Sequence, residues 1–214
     1  MTLVAFDFDG TLTGSDLTVL LGREYDVARE IQGLADQGRR GDVDFERSLR
    51  QRASLLEGMP EARVRAAFER CKLRDGVADL IADLRRSDVA VAIVTGSFGR
   101  GVETALERAD LAVDHLVANR LVLENGAVTG EVEGPLLAGG KDRALTELAA
   151  TSGVDLGRTV AVGNGATDLP MLRVAGTAIG FEPERVVEGY CDVVVTSIHK
   201  LRLYFEQHGV VGTA

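Results

Sequence analysis

Five short apolar runs constrain this chain most: LVAF (3–6), VAVAIV (89–94), TVAV (159–162), TAIGF (177–181) and CDVVV (191–195). They are rich in β-branched residues and nearly continuous, with little polar alternation. A strand reads that way when both of its faces are buried, as in a parallel sheet covered by helices on each side. The segments between them carry a helical period. Residues 75–86, DGVADLIADLRR, put Val77, Leu80, Ile81 and Leu84 at helical spacing, and residues 99–109, 141–151, 168–174 and 197–206 read the same way. Strands alternating with helices give an α/β, doubly wound, mainly parallel sheet with right-handed crossovers.

Two regions break the alternation. Residues 14–73 hold no convincing strand and carry charged helical patterns such as DFERSLRQRASLL (44–56) and EARVRAAFERC (61–71). They read as a small helical insertion after the first strand. The expected division is a core of residues 1–13 and 74–214 with a helical cap at 14–73. Within residues 114–134, Asn125-Gly126 between two alternating runs signals a hairpin with a type I′ turn at one sheet edge.

The formal net charge of −9 argues against nucleic acid or an anionic membrane as the main partner. No apolar run approaches the length of a membrane span. The two cysteines, Cys71 and Cys191, have no Cys or His nearby at metal-ligand spacing. The expectation is a soluble, cytoplasmic protein with reduced thiols, monomeric or homodimeric.

Four places along the chain carry chemistry. In AFDFDGTLT (5–13) a buried strand ends in two carboxylates, Asp7 and Asp9, followed at once by Gly10-Thr11. Ligands of open α/β sheets bind beyond the carboxyl ends of the strands, where both would lie. Two close carboxylates repel, and a hard dication such as Mg2+ relieves that. One carboxylate can then act as nucleophile while the other moves a proton. In AIVTGSFG (92–99) a second strand ends in Thr95-Gly96-Ser97. A hydroxyl, a glycine and a helix N-terminus suit an anion, and equally suit Ser97 as an ordinary cap. Lys141 follows two glycines at a helix start, where the dipole disfavours a cation. It is either reaching an anion in the site or a solvated surface lysine. In VAVGNGATDLP (160–170), Asn164 and Asp168 follow a third buried strand. That stretch fits a charged site, or a turn with Asn164 left-handed and Asp168 capping the next helix.

Taken together, strand-Asp-x-Asp, strand-Thr-Gly, Lys and strand-Gly-Asn-x-x-x-Asp form an ordered series that one sheet edge would gather. In this series the chain resembles the haloacid dehalogenase-like phosphohydrolase superfamily over essentially its whole length. The resemblance implies a Rossmann-like core with a helical cap inserted after the first motif. It implies Asp7 as the nucleophile that forms an aspartyl-phosphate and Asp9 as general acid/base. It implies Thr95, the Gly96 amide and Lys141 as phosphate ligands. It implies Mg2+ held by Asp7, the Asp9 carbonyl and the motif at Asn164 and Asp168. Phosphoryl transfer needs positioning and charge neutralisation more than elaborate covalent chemistry, and this set supplies both. The second aspartate, Asp9, points to the phosphatases of the superfamily rather than its dehalogenases.

Within the superfamily the cap segment VDFERSLRQRASLLEGMP (43–60) is similar to that of the phosphoserine phosphatase family. That likeness implies Phe45 and Arg52 enclosing the substrate, Arg52 on its carboxylate and Asp16 on its ammonium. The implied activity is Mg2+-dependent hydrolysis of a small phosphate monoester, L-phosphoserine above all, in serine biosynthesis. The alternatives are a phosphatase or phosphotransferase for another small phosphate monoester, or a non-catalytic binding protein of the same fold. The chain departs from the family at Asp16, usually Glu, and at Arg39, often apolar. It departs again at Asn164 and Thr167, usually Asp and Asn, with Thr167 on the substrate side. An Asn oxygen can coordinate Mg2+ without contributing charge, so a weaker metal site and a broader substrate range are the expectation.

Overall fold

The computed structural model describes residues 1–212. Seven strands form one sheet: β1 (Thr2–Phe6), β2 (Val89–Phe98), β3 (His115–Glu124), β4 (Ala127–Glu133), β5 (Thr159–Gly163), β6 (Thr177–Phe181) and β7 (Val193–Val195). Their order is β4-β3-β2-β1-β5-β6-β7. Every pair is parallel except the β3–β4 hairpin. β1 is central, and the chain reverses its direction of winding there. The ends of β1, β2 and β5 therefore open one crevice, where ligands of such sheets bind.

The near-continuous apolar runs have a physical explanation in the two faces. Val4, Phe6, Val91, Ile93, Val160, Val162, Ile179 and Phe181 point to one side and pack in one apolar cluster. Leu3, Ala5, Ala90, Ala92, Ala161 and Ala178 point to the other and pack in a second. The first face, built of large side chains, takes α5 (Val77–Arg86), α6 (Gly99–Arg108) and α10 (Ile198–Gln207) through Leu80, Ile81, Val102, Leu201 and Phe205. The second face, mostly alanine, takes α7 (Lys141–Thr151) and α8 (Leu169–Val174) through Leu145, Ala149, Met171 and Leu172. Truncating a fully buried residue such as Phe6 would cost about 3–5 kcal/mol by transfer and cavity terms together.

Residues 14–73 contain α1 (Leu17–Glu24), α2 (Ala28–Arg40), α3 (Phe45–Ser54) and α4 (Glu61–Glu69). Asp16 caps α1, its Oδ1 accepting from Thr18 N at 2.8 Å, and Asp44 caps α3 by accepting from Arg47 N at 3.0 Å. Leu17, Leu21, Ile31, Leu49, Val64 and Phe68 from these helices join the apolar cluster of the first sheet face. The two connections to the rest of the chain lie side by side: Thr13 bridges Leu73, and Arg74 N donates to Leu12 O at 2.8 Å.

The hairpin signal at Asn125-Gly126 holds, with φ of 50° and 78° at the two residues, the left-handed pair a type I′ turn requires. β3 changes partner along its length, pairing with β2 up to Asn119 and with β4 from Arg120. The outer edge of β4 is covered by the turn before α4. Gly58 N donates to Val128 O at 2.8 Å and Val128 N to Met59 O at 2.9 Å, so an edge that would be open to pairing is closed.

Three of the boundaries that differ from the sequence reading lie beside the site or at the sheet edge. β2 continues past Val94 to Phe98 through an irregularity between Thr95 and Phe98. β7 is shorter than the 191–195 run, because Asp192 turns back and accepts from Ala178 N at 2.8 Å. The 168–174 segment is entered through a 3-10 turn, Ala166–Asp168, before α8. α9 (Arg185–Glu188) completes the α-helices among the described residues.

Candidate active site

A cavity of about 160 Å3 opens over the ends of β1, β2 and β5, roofed by α1, α2 and α3. On its floor lies Asp7, 6% exposed. Its carboxylate is bound from behind: Lys141 Nζ stands 2.7 Å from Asp7 Oδ1 and 2.7 Å from Asp168 Oδ1. Lys141 is 3% exposed, so the solvated-lysine reading is overturned. Burial by itself lowers its pKa, but Asp168 and Asp7 raise it further, and the ammonium stays charged. The two carboxylates thus supply what a cation at a helix start lacks.

Asp168 is fully buried and each of its oxygens is engaged. Oδ1 takes Lys141, and Oδ2 accepts from Asn164 N at 2.8 Å and Gly165 N at 2.9 Å. The capping role considered for it is not what the structure shows: Asp168 stands ahead of α8 but makes no side-chain cap to it. Asn164 is not left-handed either. The glycines beside it answer to crowding. A Cβ on Gly163 would lie 2.6 Å from Asp168 Cβ. Gly10, at φ +86°, sits against the Asn164 amide, where a Cβ would come within 2.3 Å of Nδ2. The tight DGT turn and the GNG turn are thereby locked face to face.

Burial, then the charge of Asp168, raises the Asp7 carboxyl from 3.8 to about 7, even against Lys141. Asp9 is raised well above its ordinary value by burial first, then by Asp16 and Asp7. Its Oδ2 accepts from Leu17 N at 3.3 Å, while Oδ1 is buried with no hydrogen-bond partner. A floor carboxylate held by an ammonium beside a second that favours its protonated form is an arrangement for nucleophile and acid/base.

Thr95, Gly96 and Ser97 line one wall. Thr95 Oγ1 accepts from Ser97 N at 3.2 Å, and Asn119 Nδ2 donates to Gly96 O at 2.8 Å. The Phe45 ring lies on Gly96, where a Cβ would meet its Cζ at 2.4 Å. Ser97 does not cap α6, whose N-cap is Phe98 with no side-chain bond. Opposite stand Arg52, 4% exposed, and Asp16. Arg52 Nη1 is 3.2 Å from Asp16 Oδ2 and 2.9 Å from Thr18 Oγ1. Thr167 and Arg39 lie at the rim. Arg39 pairs with Asp36 on its own helix and approaches Glu184 of the core at 3.9 Å.

Every residue singled out from the sequence therefore gathers here, with Lys141 and Asp168 behind the cavity wall. Three were not singled out. Asn119, 2% exposed, braces Gly96 and accepts from Leu136 N at 2.9 Å; an Asn inside a strand pattern was its only signal. Arg74 Nη2 lies 3.0 Å from both Gly10 O and Glu182 Oε2, and nothing local marks it. Thr18 bonds both Asp16 and Arg52 from inside α1.

Among the described residues no set of three or more His, Cys, Asp and Glu side chains is placed to hold a metal ion. The residues that line the cavity at this end bring oxygens of mixed kind: the Asp7 carboxylate, the Asn164 side-chain amide and an Asp9 main-chain carbonyl that accepts no hydrogen bond from the described residues. Such an oxygen set fits a hard dication.

The family model for haloacid dehalogenase-like hydrolase matches residues 4–173. The chain is 43% identical over 210 residues to the phosphoserine phosphatase of Halobacterium salinarum, covering 98% of this chain and 100% of that one. It is 34% identical over 194 residues to the phosphoserine phosphatase of Methanocaldococcus jannaschii, covering 90% and 91%. Among solved structures, a phospho-aspartyl intermediate analogue of phosphoserine phosphatase matches with a TM-score of 0.90 at 33% identity, over 95% of this chain and 98% of that one. A substrate-bound phosphoserine phosphatase complex matches with a TM-score of 0.90 at 32% identity, over 95% and 97%. With the family model spanning most of its length and the Asp7–Lys141–Asp168 cluster at its sheet edge, the chain belongs to the haloacid dehalogenase-like hydrolases.

Proposed function

We propose that this chain is a Mg2+-dependent phosphoserine phosphatase that works through an aspartyl-phosphate on Asp7. One observation carries the reading: buried Asp7, held from behind by Lys141, shares a single small cavity with buried Arg52 and its partly exposed partner Asp16. The first suits a phosphoryl group. The second suits a zwitterion, whose carboxylate would replace Asp16 on Arg52 and whose ammonium would replace Arg52 on Asp16.

Lys141 fixes Asp7 Oδ1 and leaves the other oxygen as nucleophile toward phosphorus. Asp9, protonated, gives its proton to the departing seryl oxygen. Thr95 Oγ1 and the Gly96 amide hold phosphoryl oxygens, with Phe45 over Gly96 keeping water out. Asp9, now ionised, takes a proton from the water that releases phosphate. Mg2+, held by Asp7, the Asp9 carbonyl and Asn164 Oδ1, would neutralise phosphoryl charge. Asp168 serves behind them, orienting the Asn164 turn and Lys141. Thr167 borders the substrate.

Helices α1–α4 form the cap, and the core is residues 1–13 and 74–212, the last two positions of the expected 74–214 segment lying outside the described residues. The cap must part from the core to admit substrate, at the bridged residues Thr13 and Leu73. No helix among the described residues is long and apolar enough to cross a membrane. The acidic net charge and the small enclosed cavity support a cytoplasmic enzyme with a small-molecule substrate. A second reading, another small phosphate monoester, is favoured by Arg23 at the cavity, which adds basic charge the serine moiety does not need.

The test is phosphate release from L-phosphoserine, L-phosphothreonine and sugar phosphates, with and without Mg2+, beside Asp7→Asn. Preference for phosphoserine, dependence on Mg2+ and loss in Asp7→Asn are expected. Preference for a sugar phosphate favours the second reading.

A further inference from the structure

Two polar atoms in the cavity are left over by the arrangement above. Asp9 Oδ1 and Ser97 Oγ are both buried, and neither has a hydrogen-bond partner. Both residues line the same cavity, and Ser97 is 6% exposed. Leaving a buried polar atom unpaired costs about 1–3 kcal/mol, so each such atom calls for an explanation.

The structural uses of a serine at this position are taken by others. The cap position of α6 falls to Phe98. The Ser97 backbone N–H is held by Thr95 Oγ1. The irregularity of β2 between Thr95 and Phe98 takes Ser97 out of the ladder and turns it to the cavity. Ser97 Oγ and Asp9 Oδ1 do not bond each other, although both residues line the one cavity. Two unpaired buried acceptors in one polar cavity are suited to share a third partner, and a water, with two donors, satisfies both.

We propose that Ser97 is a further catalytic residue, holding, together with Asp9, the water that hydrolyses the aspartyl-phosphate. This rests on the phosphatase reading of the site. One O–H of the water donates to Asp9 Oδ1 and the other to Ser97 Oγ, which leaves an oxygen lone pair for phosphorus. The water oxygen bonds to phosphorus as the bond from phosphorus to the Asp7 oxygen breaks. That bonding pair returns to the Asp7 carboxylate, the proton passes to Asp9, and inorganic phosphate leaves. Ser97 has no part in the first half-reaction, where the nucleophile is Asp7 and Asp9 serves the leaving oxygen. Its effect belongs to dephosphorylation alone.

The experiment is rapid quench with 32P-labelled L-phosphoserine and Mg2+, followed by an unlabelled chase. It measures formation and decay of the phosphoenzyme separately in wild type, Ser97→Ala and Ser97→Thr, whose folding is checked by thermal melting. Decay in Ser97→Ala is expected to slow on the order of tenfold, the effect of one lost hydrogen bond to the water, with formation unchanged. Ser97→Thr keeps the hydroxyl and is expected to decay as wild type does. Unchanged decay in Ser97→Ala, equal slowing of formation and decay, or Ser97→Thr behaving as Ser97→Ala would overturn the assignment. A wild-type protein that forms no phosphoenzyme overturns the phosphatase reading itself, and this one with it.

Discussion

Arg52 Nη1 lies 3.2 Å from Asp16 Oδ2, so the two groups suited to an amino-acid zwitterion hold each other at the cavity. Both are also tied to Thr18, whose hydroxyl donates to Asp16 Oδ1 at 2.5 Å and accepts from Arg52 at 2.9 Å. Asp16 additionally caps α1. On the proposed reading, substrate recognition and the start of the cap are one structure.

Arg52→Ala should raise KM for L-phosphoserine about 10- to 100-fold, the range of one or two hydrogen bonds to a charged group. It should leave KM for p-nitrophenyl phosphate, which has no amino-acid part, nearly unchanged. Steady-state kinetics on both substrates check this. Equal loss on both would place Arg52 in the fold rather than in recognition.

Lys141→Met should abolish activity and destabilise the chain. It leaves Asp7 and Asp168 facing each other without a cation in a buried site, and breaking such a cluster costs about 3–5 kcal/mol. For a chain of this length that lowers Tm by roughly 10 °C. Differential scanning calorimetry reads the shift. Adding Asp168→Asn to Lys141→Met should recover part of it by removing one unpaired charge.

The pH dependence of the metal-free protein has a definite sign. The Asp7 carboxyl is raised from 3.8 to about 7, mainly by burial and by Asp168, so the folded chain binds that proton more tightly than the unfolded one. The resulting stabilisation is complete below about pH 4 and disappears as pH rises through about 7. In EDTA, the Tm of wild type relative to Asp7→Asn should fall from about pH 4 to 8. A relative Tm that rises over this window contradicts the assignment.

Asn164→Asp should tighten Mg2+ binding at least tenfold, since it adds a charge to a set with one cavity-facing carboxylate and neutral oxygens. Isothermal titration calorimetry measures it directly. The same change should lower the Tm of the metal-free protein, because the new carboxylate joins Asp7 and Asp9 with no cation to balance it. An unchanged Kd would show that Asn164 does not face the metal.

Local signals made much of this legible and long-range ones did not. The strands could be read because burial on both faces leaves an uninterrupted apolar run, as in VAVAIV, and the hairpin because Asn125 and Gly126 tolerate positive φ. Asp7 and Asp9 stood out because two carboxylates beside a buried strand need a reason. Lys141 could not be settled from its neighbourhood, because its partners are 134 and 27 residues away. Ser97 was open to the reading of a cap, since a strand irregularity that moves the helix start by one residue leaves no local trace. The closing of the β4 edge by Gly58 and Met59 joins an insertion to a hairpin some 70 positions on, and only the fold brings them together. Arg52 and Asp16 were placed by resemblance. Their spacing alone, among several arginines of α3, did not distinguish them.

The central claim is that Asp7 carries the phosphoryl group. The direct measurement is acid quench of the protein turning over L-phosphoserine, then reduction with tritiated borohydride, which replaces the phosphoryl group by labelled hydride, and peptide mapping. Label confined to the peptide containing residue 7, and conversion of Asp7 to homoserine, is the predicted result. Phosphate release with no labelled protein, or label on another residue, would contradict it.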